Sequence, residues 1–162
     1  MSWMFEQLRK HRDDRGMMAD LRCILVDNKR HRAWPALSRL RIRIDDPILP
    51  FVAGLFASHP VETDTGNFGW TCKEIERKRN EKPSDEGKLT PTERRFQHLL
   101  ASEKDEVQDR IQRMVLMAKS QGVPVNYEQL ASDLRYWNDG TKTKWASSYW
   151  ITNVPSLDEE AL

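Results

Sequence analysis

Between residues 103 and 121 the apolar side chains Val107, Ile111, Met114, Val115 and Ala118 recur every three or four positions, the spacing of one face of an α-helix. Gly122 ends that pattern and Pro124 prevents its resumption. Upstream, Thr90-Pro91-Thr92-Glu93 has the form of a helix start. The Thr90 hydroxyl can cap, Pro91 suits the first helical position, and Glu93 completes a capping box. Phe96, Leu99 and Leu100 then share a face. A third helix is predicted from Asn126 with Tyr127, Leu130, Leu134 and Trp137, and a fourth over 141–152 with Trp145 and Tyr149 one turn apart. Strand-like alternation appears only over 40–44, which reads better as a connector into Asp45-Asp46-Pro47 than as a strand. The expected fold is all-α: two small helical lobes, the C-terminal one a four-helix bundle.

The first half is less regular. Helices are predicted after Ser2 with Trp3, Phe5 and Leu8 inside, over 17–27, briefly over 35–40, and over 47–58. Residues 59–69 have loop composition, and 70–80 suit a helix with a basic exposed side. Pro83, Ser84, Asp85 and Gly87 make the stretch up to Lys88 the best linker in the chain. The expected organisation is an N-terminal basic helical lobe at 1–80, a linker at 81–89, a helical bundle at 90–153 and a flexible tail at 154–162.

At 162 residues the chain has room for one domain or two small ones sharing an interface. The 26 Lys and Arg nearly balance 25 Asp and Glu, which argues against a generally basic coat protein. The balance hides an asymmetry: residues 1–44 carry eleven basic against five acidic residues, and 45–66 carry four acidic and no basic ones. Arg22, Lys29, Arg30, Arg32, Arg39, Arg41 and Arg43 lie in one short span. Clustering matters because a charge is felt over about 8 Å at physiological salt. A second basic set comprises Arg94, Arg95, Arg110, Arg113, Arg135, Lys142 and Lys144. Arg110 and Arg113 share a helix face, although Asp105, Glu106 and Asp109 stand close enough in sequence to pair with them.

Catalytic signatures are missing. There is no P-loop or dinucleotide fingerprint, and Cys23 and Cys72 form no Cys-x-x-Cys unit. His11, His31, His59 and His98 are isolated, and none has the spacing of a helical metal site. Asp13-Asp14 and Asp45-Asp46 point apart on a helix, and Asp46 before Pro47 is better explained as a cap. Ser147, Ser148 and Cys72 have no local base. No enzyme, metal, cofactor or small-molecule substrate is expected. The longest apolar stretch, 48–57, is too short to span a bilayer and the first fifteen residues lack a signal core, so a cytoplasmic protein is expected. Trp137, Trp145 and Tyr149 read as core, and Trp34 also as a packing residue.

The stretch 89–150 resembles the C-terminal bundle of the small subunit of type I-E Cascade, the CasB family of CRISPR-associated proteins. The resemblance rests on Glu93-Arg94-Arg95-Phe96 with Leu99-Leu100, Asp105, the 110–114 helix, the Gly/Pro turn, Tyr127, Leu130, Leu134, Trp137 and a basic-aromatic last helix. Leu21-Arg22, Trp34-Pro35-Ala36, Arg39-Leu40 and the 51–56 segment extend it more loosely into the first half.

That resemblance implies a non-enzymatic, all-α subunit of an RNA-guided antiviral complex. Two copies would sit head to tail against backbone and large subunits, with guide RNA and target DNA as partners, stabilising the R-loop. Carried over by position, Arg22, Arg39, Arg94, Arg95, Arg110 and Arg113 match the family's basic positions, and Lys142 and Lys144 fall near its basic residues before the last helix. Relatives often have two adjacent arginines where this chain has Arg22-Cys23, so the second contact is expected either to be absent or to come from Lys29 or Arg30. The competing readings are a free-standing helical DNA-binding regulator, which needs a base-reading recognition helix, and a pure protein-interaction module.

Overall fold

Asn, Asp and Thr side chains start most of the helices. In this computed structural model, which describes residues 2–151, α1 spans Ser2–Lys10 and α2 spans Arg15–Arg22. They are followed by α3 (Trp34–Arg39), α4 (Leu49–Ser58) and α5 (Phe68–Lys78). The second half holds α6 (Pro91–Leu100), α7 (Val107–Gln121), α8 (Tyr127–Arg135) and α9 (Asp139–Trp150). The carboxylate of Asp14 accepts from the Met17 N–H, and the Asn67, Asn126 and Asn138 amide oxygens accept from the third residue onward. At α6 the full capping box forms, Thr90 and Glu93 each bonding the other's backbone. Gly122 closes α7 at φ 68°, a left-handed conformation that suits glycine. The only β feature among the described residues is an isolated parallel bridge, Glu62 to Val125, so the fold is all-α.

Several boundaries differ from expectation. The helix predicted over 17–27 stops at Arg22 and gives way to 3-10 turns at Cys23–Leu25 and Asp27–Ala33, because Val26 is extended. This detour brings Ile24 and Leu25 against Gly54 of α4, where a β-carbon would meet Ile24 at 2.2 Å. Residues 40–44 form a turn in which Arg41 takes φ 56° and sends Leu40 and Ile42 into the core. Trp34 is 45% exposed, with its ring edge-on to His31, so it does not pack as expected. Trp137, Trp145 and Tyr149 are core residues. The last helix begins earlier than predicted, and the expected 154–162 tail lies outside the described residues.

One continuous hydrophobic core runs from Phe5 and Leu8 through Phe56 and Phe68 to Trp145 and Tyr149. α2 packs on α4, α4 packs on α7 and α8, and α5 packs on α6, α7 and α9. The four-helix bundle expected at 90–153 is not a separate packing unit: apart from α6 on α7, its helices pack chiefly on α4 and α5, which precede it. Residues 82–88 are exposed, yet packing crosses them: Glu81 accepts from the Thr92 N–H and hydroxyl at the start of α6.

Candidate nucleic-acid interface

The N-terminal arginines are partly committed to the fold. Arg22 donates to the Ala57 carbonyl (3.2 Å) in the last turn of α4, satisfying a helix-end acceptor. Arg30 pairs with Asp27 at 2.8 Å and Arg43 with Asp45 at 2.9 Å, while the Arg41 guanidinium lies 5.9 Å from the Trp3 ring centre. The bonds and charge of Asp45 raise the Arg43 pKa above its usual value. Lys29 and Arg39 are exposed and make no ion pair among the described residues.

The C-terminal set behaves differently. α6 and α7 pack side by side. On α6, Arg95 and His98 are three residues apart; on α7, Arg110, Arg113, Met114 and Met117 follow the three-and-four rhythm of one face. Together with Leu116 these side chains line one groove of about 320 Å³. Its lining combines three guanidinium groups and the His98 imidazole with two thioethers and the exposed Leu116 side chain, and no carboxylate lines it. Arg95 donates to the Met117 sulfur at 3.8 Å. Arg110 and Arg113 do not pair with the Asp105, Glu106 or Asp109 carboxylates that stand close in sequence, and no ion pair among the described residues uses them or Arg95.

The structure therefore brings together Arg95, Arg110 and Arg113 from the sequence-derived set. Arg94 is exposed on α6 but does not line the groove. Lys142 sits over the Trp137 ring, 5.5 Å from its centre, and Lys144 is exposed on α9; neither reaches the groove. Arg135 is held by Asp46 at 3.0 Å. Sequence reasoning missed His98 and the apolar part of the lining. His98 looked isolated because its partners come from the neighbouring helix, and the apolar stripe of α7 places Met114 in the core alone. The i, i+3 spacing of Arg95 and His98 was the available signal.

Among the described residues no group of three His, Cys, Asp or Glu side chains is placed to hold a metal ion. Burial pushes the Cys72 thiol well above its ordinary pKa, which keeps it protonated and a poor nucleophile. No helix among the described residues is long and apolar enough to cross a membrane.

The family model of CRISPR-associated protein Cse2 matches residues 17–150, from α2 to the end of α9. The chain belongs to the Cse2 family. Among solved structures it is similar in fold to a CRISPR-associated, Cse2-family protein of Thermus thermophilus, with TM-score 0.69 and 17% identity over 93% of this chain and 95% of that one. A second structure, of CasB from Thermus thermophilus, gives TM-score 0.68 at the same identity and coverage. M. ruber CasB gives TM-score 0.61 at 21% identity, covering 84% of each chain. No curated protein matches in sequence. The Cse2 match begins within α2, so α1 and its exposed Trp3 lie outside it.

Proposed function

We propose that this Cse2-family chain is the non-catalytic small subunit of a type I-E CRISPR RNA-guided surveillance complex and that it holds nucleic-acid backbone to stabilise the R-loop. The observation that carries this is the convergence of Arg95, Arg110 and Arg113 on one groove without a carboxylate to neutralise them. In such complexes base pairing reads sequence and the protein supplies phosphate contacts. R-loop exchange is nearly balanced, so a few contacts acting together tip it. Lys29, Arg30, Arg39, Arg94, Lys142 and Lys144 form the wider basic surface in this reading, and Arg22 contributes mainly through its bond to α4. Partners are guide RNA, target DNA, a second copy of the chain and the backbone and large subunits, in the cytoplasm. A free-standing regulator draws no support from α8. Its first-turn polar side chains are engaged within the chain, Glu128 with Arg9 and Gln129 with Asp133.

The test is target binding by the reconstituted complex carrying Arg95→Ala, Arg110→Ala and Arg113→Ala together. Target affinity should fall, and the slope of log affinity against log salt should decrease by roughly two to three. An unchanged slope and affinity in a fully assembled complex would remove these residues from the DNA path.

A further inference from the structure

The end of α9 is fastened to the first half of α6. The Trp150 indole N–H donates to the Glu93 carboxylate at 2.9 Å, and its ring centre lies 5.3 Å from that of Phe96. Residues 152–162 follow directly in sequence and carry Asp158, Glu159 and Glu160 with no Lys or Arg. Two residues past Glu93 on α6 stands Arg95, which lines the α6–α7 groove with Arg110 and Arg113. None of the three has an ion pair among the described residues.

We propose that Asp158, Glu159 and Glu160 dock on Arg95, Arg110 and Arg113, so that the chain's own acidic segment covers this groove until nucleic acid displaces it. The charges match three to three, and the reach suffices. Residues two apart on a helix are turned by about 200°, which puts Glu93 and Arg95 on opposite flanks of α6. Arg94 stands exposed between them, also without an ion pair among the described residues. A helix with its side chains is about 10–12 Å across. The stretch from Ile151 to Asp158 can extend to about 23–25 Å, enough to cross over α6 past Arg94 and enter the groove. On α5, which packs on α9, Lys73 is already paired with Glu76 and Arg77 with Glu74. Each exposed ion pair is weak, but a tethered segment meets its site at an effective concentration on the order of millimolar. The contact itself needs no nucleic acid; its competition with nucleic acid rests on the proposed function.

Amide NMR spectra of the purified full chain test the contact. At low salt the Asp158, Glu159 and Glu160 resonances should differ from those of the Arg95→Ala, Arg110→Ala, Arg113→Ala variant, at any protein concentration. The two sets should converge at about 500 mM salt, where charge is screened within about 4–5 Å. Coincident spectra at low salt overturn the docking, whether or not the groove binds nucleic acid. A difference that disappears on dilution overturns it as an intrachain contact and gives the groove to the acidic segment of a second copy. For the competition, Asp158→Asn, Glu159→Gln and Glu160→Gln together should tighten binding of a fluorescent oligothymidylate at least about threefold at low salt. The gain should vanish when the three arginines are also replaced by alanine. An equal gain in that background reports net charge alone and overturns the competition, as does no gain at all. Failure of every variant to bind the oligomer removes the proposed nucleic-acid contact instead, and the spectra then decide the docking by themselves.

Discussion

Asp46 shows how a single residue can look like a site and act as a joint. Its carboxylate accepts the Ile48 and Leu49 N–H groups at 2.9 Å, before α4, and pairs with Arg135 of α8. Burial opposes its charge, but the Leu49 and Ile48 N–H donors and the Arg135 guanidinium outweigh this and hold its pKa below the ordinary carboxylate value. The depressed pKa means the stabilisation is complete above the unfolded-state value and is lost as pH falls through the folded one. Asp46→Ala should cost about 1–2 kcal/mol at pH 7, from the lost cap and a partly exposed pair. The gap to the wild type should narrow below about pH 4. Urea unfolding at pH 7 and pH 3 measures it, and a gap independent of pH would show that the charge contributes nothing. The sequence already marked Asp46 as a cap through Pro47. It held no sign of Arg135, which is 89 residues away.

At the scale of elements, the crossing of α5 and α9 depends on one missing side chain. A β-carbon at Gly69 would stand 2.1 Å from the Trp145 carbonyl oxygen, a contact with backbone that cannot rotate away. Gly69→Ala should force the helices apart and destabilise the protein by about 1–3 kcal/mol. Thermal unfolding followed by circular dichroism would record it, and an unchanged midpoint would contradict the close crossing. Around this crossing the Phe68 and Trp137 rings pack on Trp145, and the Tyr149 hydroxyl bonds Glu76. Burial and the neighbouring Glu76 carboxylate raise the Tyr149 pKa far above the usual phenol value, so it stays neutral throughout the working pH range. The aromatic spacing of the last helix was legible as core, whereas the glycine sat in a segment read as a loop.

For the whole molecule, the two halves share a core rather than a hinge. α5 lies before the exposed 82–88 stretch and packs on α6, α7 and α9 beyond it, while α4 packs on α7 and α8. A β-carbon at Gly87 would meet nothing within 4 Å, and the stretch around it is exposed, so a protease site is best inserted beside it. After specific cleavage there, the halves should co-elute on size exclusion without denaturant; separation would make 1–80 and 90–153 independent folding units. Caps, turns and apolar rhythm are local, so the all-α fold, the α6 start, the α7 end and the aromatic core of α9 were determined by neighbours in sequence. What pairs with what is not local. Only the tertiary structure decided that Arg22 would serve α4, that Arg110 and Arg113 would stay clear of the nearby carboxylates, and that Arg95 and His98 would face them across a groove. The reason is physical: helical spacing specifies which residues share a face, but the partner of that face is chosen by the packing of the whole core.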